Sequence, residues 1–200
     1  MEQITLKGSR VLVTGGAGFI GSHLVDQLCE RGNDVTVFDN FSVGRLDNLA
    51  QSTPKVIRGD VRDLAAIEAA CVGADVVFHL ATNCGRLALQ DPKTNHDVNA
   101  TGSLFTLLAA KKANVKRFVY CSSSEVYGNS ATIAGATGDG CLHEESPKHP
   151  TTIYGASKLV GEHYTLAFNE VHGLPGTIVR PFNAYGPRSH ALGPYGEVIP

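Results

Sequence analysis

Tyr154 and Lys158 frame the stretch Tyr154-Gly155-Ala156-Ser157-Lys158. On a helix, residues four apart share a face, one turn from each other. A protonated lysine beside a phenol favours the phenolate and lowers the tyrosine pKa. Such a phenolate is a base able to work near neutral pH. About thirty residues upstream, Ser122-Ser123-Ser124-Glu125 sets three hydroxyls and a carboxylate at the end of an apolar run. Serines there can act on a ligand or satisfy backbone groups in a turn.

The elements that must position these groups are legible along the chain. Arg10 to Thr14 reads as a short buried strand, and a helical pattern runs from the following glycines to about Arg31, ending at Gly32. Between them, Gly15-Gly16-Ala17-Gly18-Phe19-Ile20-Gly21 contains G-x-G-x-x-G at Gly16, Gly18 and Gly21, and G-x-x-G-x-x-G at Gly15, Gly18 and Gly21. Glycines allow the tight turn and the close approach of a pyrophosphate, and the helix N-terminus offers free N–H groups to it. A strand before and a helix after give the fingerprint its required context. Val35 to Phe38 forms a second strand ending at Asp39, eighteen residues past Gly21, where a carboxylate meets adenosine ribose hydroxyls. Asn40 rather than an arginine follows, which points to NAD rather than NADP.

Further strands are expected at Val56-Ile57, leading to Gly59-Asp60, at Asp75 to Leu80, at Lys116 to Cys121 and at Gly176 to Arg180. His79, inside the fourth, reads as a packed core histidine. Helices are expected over 63–71, as one long helix after Pro92 with Val98, Leu104, Leu107 and Leu108 apolar and Asn99 within it, and from the Tyr154 stretch to about His172, closed by Gly173 and Pro175. Asn129 to Gly140, rich in Gly, Ala, Thr and Ser, reads as a loop over the site or a mobile insertion. Alternating strands and helices imply an α/β fold, a doubly wound parallel sheet of Rossmann type, in which ligands sit at the carboxyl ends of the strands. Gly15 to Gly21, Asp39, Asp60, Ala81, Ser123 and Asn183 all fall at or just past such ends.

Composition excludes several classes. Apolar residues make up 42% and charged residues 18% of 200, the balance of a globular domain with a sizeable core. The net charge is −2 with no basic run, which argues against nucleic acid as a partner. Five scattered cysteines show no CxxC or CxxH spacing, so neither a metal site nor a disulfide framework is expected, and a reducing cytoplasm fits them. No apolar segment approaches the length that spans a bilayer, so no membrane partner is expected.

With these residues in view, the sequence resembles the extended short-chain dehydrogenase/reductases of the NAD-dependent nucleotide-sugar epimerase/dehydratase family. The resemblance rests on Thr14 to Gly21, Asp39-Asn40-Phe41, Gly59-Asp60-Val61, His79-Leu80-Ala81, Asn99, Ser122 to Gly128, Tyr154-x-x-x-Lys158 and Arg180-Pro181-Phe182-Asn183. It implies NAD as cofactor and a UDP- or dTDP-sugar as substrate. Tyr154 becomes the base that takes the proton of the sugar 4-hydroxyl while C4 gives hydride to NAD⁺. Lys158 holds the nicotinamide ribose and lowers the Tyr154 pKa. Ser123 hydrogen-bonds the reacting oxygen, and Glu125 joins the catalytic set. Cofactor contacts carry over to Gly15, Gly18, Phe19, Ile20, Gly21, Asp39, Asn40, Phe41, Ser42, Gly44, Asp60, Val61, Leu80, Ala81, Thr82, Asn99 and Phe182, with Tyr154 and Lys158. Substrate contacts fall on Ser123, Tyr154 and Asn183, the last at the sugar diphosphate.

Two departures shape the expectation. The segment between Ser123 and Tyr154 is longer than in the family, and the chain ends at Glu197-Val198-Ile199-Pro200 where family members continue into a substrate-binding region. Residues 1–200 are therefore expected to form one NAD-binding domain that lacks most of the sugar pocket, with apolar surface near Val198-Ile199, able to form a homodimer. Among reactions, a 4,6-dehydratase of this resemblance carries Asp-Glu after the serine, whereas here the pair is Ser124-Glu125, and a serine hydroxyl is too weak an acid to replace the aspartate. The order of expectation is 4-epimerisation of a UDP-sugar, then decarboxylation of UDP-glucuronate, then dehydration of dTDP-glucose. A non-catalytic NAD-binding sensor or scaffold is the alternative of a different class.

Overall fold

A computed structural model of the protein describes residues 6–129 and 141–189. The loop expected from Asn129 to Gly140, but for Asn129 itself, and the expected apolar surface near Val198-Ile199 lie outside the described residues. Six parallel strands form one sheet: β1 (Arg10–Thr14), β2 (Asp34–Asp39), β3 (Lys55–Arg58), β4 (Val76–His79), β5 (Arg117–Cys121) and β6 (Gly176–Val179). Their order is β3-β2-β1-β4-β5-β6. The chain thus reverses its direction of travel between β1 and β4, and the carboxyl ends there open a crevice.

β1 is central because it is the strand most buried on both faces. Leu12 points to one face and Val11 and Val13 to the other, as alternation in a strand requires. On the Leu12 side, Phe38, Val77, Phe118 and Tyr120 pack with Ile67 of α2 (Leu64–Cys71), Leu107 of α5 (Gly102–Lys112) and Phe168 of α6 (Ile153–His172). On the other side, Val11, Val13, Val35, Val37 and Val76 pack with Val25 and Leu28 of α1 (Phe19–Glu30). Each such fully buried side chain contributes about 1.5–3 kcal/mol. Helices on both faces of a parallel sheet are the doubly wound architecture that the sequence pattern predicts.

Helix ends follow local chemistry. Thr152 caps α6, its Oγ1 accepting from the Gly155 N–H at 2.9 Å, and Gly173 closes it at φ +65°. Two features depart from the sequence expectation. A short helix α3 (Gly85–Ala88) follows β4. The helix expected after Pro92 is α4 (Pro92–His96) joined to α5 by a π turn over Asp97–Thr101. The widened turn turns the Asn99 side chain inward, and single π turns inside helices are frequent at functional sites.

Candidate active site

The carboxyl ends of the strands enclose a cavity of about 600 Å³. At one end lies the glycine turn. Gly15 adopts φ +70°, and a Cβ on Gly21 would stand 2.2 Å from the Gly15 carbonyl oxygen, so α1 can begin this close to β1 only with glycine there. Asp39 closes that end. Its Oδ2 accepts from the Ala17 N–H at 3.0 Å and its Oδ1 from the Phe41 N–H at 2.8 Å. Burial nonetheless raises its pKa, the two amides opposing that rise. Asp60 follows β3 and is held well below the usual carboxylate range, first by hydrogen bonds from the Arg62 guanidinium, then with help from Asn40 Nδ2 at 3.0 Å.

The other end is built by β4, β5 and α6. Tyr154 and Lys158 share one face of α6, as their spacing predicts. Gly161, also on α6, lets the helix lie against β5: a Cβ there would stand 2.2 Å from the Tyr120 hydroxyl. The close approach brings Lys158 Nζ within 2.6 Å of the Cys121 carbonyl, to which it donates, and buries the lysine. Desolvation lowers the Lys158 pKa, while Glu162 supports its charge. Tyr154 differs from expectation. Burial pushes its phenol up to about 12, and the groups that oppose this are the hydroxyls of Ser123 and Thr82. The Lys158 ammonium, engaged with the backbone, lies 6.0 Å from the Tyr154 ring centre.

Ser123 heads a 3₁₀ turn, Ser124–Tyr127, its Oγ accepting from the Glu125 N–H at 3.2 Å. The Glu125 carboxylate accepts from Thr152 Oγ1 at 2.7 Å, which ties it to the start of α6 beside Tyr154. Of the Ser124-Glu125 pair, Glu125 faces the cavity and Ser124 is absent from its lining.

Every site residue named from the sequence lines this cavity except Phe41, Asn99 and Phe182. Phe41 packs under the Arg58 guanidinium, 5.2 Å from its ring centre. Phe182 is half exposed and leans on Tyr127. Asn99 is buried just behind the wall. Its Oδ1 accepts from the Asn83 N–H at 2.8 Å and Thr82 Oγ1 at 3.0 Å, and its Nδ2 donates to the Asn83 carbonyl at 2.9 Å and Ser157 Oγ at 3.2 Å. It therefore positions Thr82 and α6. His79 is the core histidine expected. Thr14 Oγ1 accepts from the Ala81 N–H, so its own proton is free for His79 Nδ1 at 2.7 Å. Nε2 faces Ser103 Oγ at 3.0 Å, which donates to the Asn99 carbonyl. A neutral ring fits this chain, and burial lowers its pKa to about 3.

Two groups escaped the sequence reading. Glu162, four residues past Lys158 on the same helical face, accepts from Ser122 Oγ at 2.5 Å and pairs with Arg180. The four-residue spacing was the available signal. Arg86, on α3, lines the catalytic end, and no motif marked it.

The residues present fit NAD. The glycine cradle offers α1's N-terminus to a pyrophosphate, and Asp39 stands at the end of β2 for the ribose hydroxyls. Among the described residues no group of three or more His, Cys, Asp or Glu is disposed to hold a metal ion, and no helix is long and apolar enough to cross a membrane.

Known proteins align with this geometry. The profile of the NAD dependent epimerase/dehydratase family matches residues 11–200. A UDP-N-acetyl-alpha-D-glucosaminuronate decarboxylase of Bacillus cytotoxicus is 38% identical over 195 residues, 96% of this chain and 59% of the relative. A solved UDP-N-acetylglucosamine 4-epimerase from Methanobrevibacter ruminantium, in complex with UDP-N-acetylmuramic acid, superposes with TM-score 0.86 at 36% identity over 96% of this chain and 60% of that one. A dTDP-glucose 4,6-dehydratase from Streptomyces venezuelae with NAD bound superposes with TM-score 0.81 at 31% identity over 91% and 58%. The chain spans about three-fifths of the length of the curated relatives it matches.

Proposed function

Because this chain belongs to the NAD dependent epimerase/dehydratase family, whose members are NAD-dependent enzymes, we propose that it serves the 4-epimerisation of a nucleotide sugar. The observation that carries this reading is the meeting of Ser123, Tyr154 and Lys158 in one cavity while Ser124 stays out of it. Oxidation and reduction at C4 need one group to take and return the O4 proton, and a 4-epimerase needs no further acid or base. Bound NAD⁺ supplies the hydride acceptor for C4 and a positive charge within the cavity. Tyr154, as phenolate, takes the O4 proton, and Ser123 and Thr82 hold that oxygen charge by hydrogen bonds. Lys158, fixed on the Cys121 carbonyl, contributes a buried cation to the same end. Once the 4-keto sugar has turned its other face, C4 takes the hydride back and O4 takes the proton back from Tyr154.

Decarboxylation of a nucleotide uronic acid is the second reading, favoured by Glu125 at the catalytic end and by the decarboxylase among the relatives. Both readings take the chain as the cofactor domain of a longer cytoplasmic enzyme, a homodimer in solution. The test incubates the full-length protein and NAD with UDP-glucose, UDP-glucuronate and dTDP-glucose and follows products by NMR. A 4-epimer is expected. A UDP-pentose with released CO₂ selects the second reading, and a 4-keto-6-deoxy sugar overturns both. NAD binding without turnover of any sugar places the protein among sensors.

A further inference from the structure

We propose that Asp26 and Arg188 are positioning residues that latch the chain after β6 onto α1, and that this latch sets how fast NAD leaves the crevice. The proposal uses the NAD dependence of the family and stands apart from the choice of sugar.

β6 ends the sheet, while α1 packs against the Val11 and Val13 face of β1. β4 and β5 lie between β1 and β6, so three strand spacings, about 14 Å, separate them. Residues 181–188 cross that distance as a strap. At its start the Ser124 N–H donates to the Pro181 carbonyl at 3.1 Å, next to Ser123. Midway, Asn183 and Ala184 line the cavity with Pro181. At its far end, His23 Nε2 of α1 donates to the Pro187 carbonyl at 2.8 Å, and Arg188 Nη2 pairs with Asp26 Oδ2 at 2.7 Å. His23 also packs edge-on with Phe19, 5.9 Å between ring centres, and Phe19 lines the cofactor end of the same cavity. A dinucleotide reaching from the glycine turn toward Tyr154 runs along this strap, which forms one wall of its path.

The far end is held by side-chain contacts rather than by its own backbone. Asn183, Gly186 and Arg188 take φ +30°, +144° and +69°. For arginine the left-handed region is disfavoured, so tertiary contacts must hold it there, and its side chain meets Asp26. The pair is buried, with the arginine and aspartate side chains 14% and 10% exposed. Yet it closes at a single point. Asp26 Oδ1 and Arg188 Nη1 are buried with no hydrogen-bond partner among the described residues. The ion pair at the start of the strap, Glu162 with Arg180, closes instead at two points, 2.8 and 2.7 Å. A buried pair with unsatisfied atoms gains little over its separated, hydrated partners. The strap is thus firmly fixed beside Ser123 and releasable at α1, where the cofactor's pyrophosphate belongs.

Stopped-flow fluorescence of NADH tests the latch in the full-length protein. Mixing gives the association rate, and a chase of bound NADH with excess NAD⁺ gives the dissociation rate. The proteins compared are wild type, Asp26→Asn, Arg188→Gln and the double variant. Each single variant is expected to raise the dissociation rate roughly tenfold or more and to leave association within about threefold, because breaking a buried charge pair acts chiefly on release. The double variant should match the single ones rather than multiply them, since both act through one contact. It holds no unpaired charge of this pair, so it decides the matter even where a single variant fails to fold. Unchanged dissociation in the double variant overturns the latch, and so does a rate equal to the product of the two single effects. An equal slowing of association, with a lowered melting temperature of the NAD-free protein, also overturns it, because the pair then only supports α1. A wild type that takes up no NADH overturns cofactor binding and latch together. Sugar turnover is not part of the readout, so failure of the epimerase reading leaves the latch standing.

Discussion

The Glu162 carboxylate and the Arg180 guanidinium form a two-point ion pair, 2.8 Å from Nε to Oε1 and 2.7 Å from Nη2 to Oε2. Arg180 also donates to the Tyr127 hydroxyl at 2.8 Å and to the Glu144 carbonyl at 3.0 Å. Glu162 accepts from Ser122, the residue before Ser123. The pair thus fastens α6, the end of β5, the 3₁₀ turn and the chain after β6 to one point. Because Glu162 is buried and Arg180 only partly exposed, removing one strands the other. Glu162→Ala is expected to cost about 3–5 kcal/mol, read as a lowered urea midpoint. Replacing both by methionine should restore most of that loss.

Tyr154→Phe keeps the ring and removes the proton acceptor. In the full-length protein it should fold, retain NAD in a fluorescence titration, and lower turnover by roughly 10²-fold or more. Lys158→Ala should lower turnover comparably and weaken NAD. Near-native turnover of Tyr154→Phe would show that another group takes the O4 proton.

Asp39 faces the cavity with its carboxylate already fixed by two amides. It should accept from the ribose hydroxyls and repel a 2′-phosphate. NAD is expected to bind more than tenfold tighter than NADP, a difference above ~1.4 kcal/mol. Calorimetric titration of the two cofactors decides this, and Asp39→Asn should narrow the gap.

His79 is neutral in the fold, with its pKa lowered to about 3 by burial and by the nearby Lys158 charge. The unfolded chain takes up that proton near the ordinary histidine value of about 6.5. The unfolded state therefore binds more protons as pH falls through this window. The stability contributed by the neutral ring is complete above about pH 6.5 and is lost toward pH 3, at up to ~1.4 kcal/mol per pH unit. His79→Gln should flatten the stability profile between pH 6 and pH 4 relative to wild type.

Gly21→Ala places a methyl where only 2.2 Å separates it from the Gly15 carbonyl oxygen. The neighbour is backbone, so α1 must shift. A stability loss of about 1–3 kcal/mol is expected from thermal unfolding, with NAD binding weakened at least tenfold. Unchanged NAD affinity would separate the glycine turn from the cofactor site.

Much of the site was legible because strand ends and glycine turns are local. Short apolar runs, the spacing of Gly15, Gly18 and Gly21, and Asp39 closing β2 depend on neighbouring residues and on handed βαβ connections, so they place the crevice without coordinates. The four-residue spacing of Tyr154 and Lys158 fixed their common face for the same reason.

Tertiary structure decided what depends on distant partners. The Tyr154 phenol is raised because α6 buries it against β4 and β5, a burial no spacing encodes, and Lys158 meets the Cys121 carbonyl because Gly161 lets the helix close on Tyr120. Asn99 turned from a lining residue into a brace because a π turn rotated it toward Asn83. Phe41 and Phe182 left the lining because chain direction after β2 and β6 sets their side chains, and Asn183 there takes φ +30°. Arg86 and the Glu162–Arg180 pair arise from segments far apart in sequence, brought together by the order in which the strands line up.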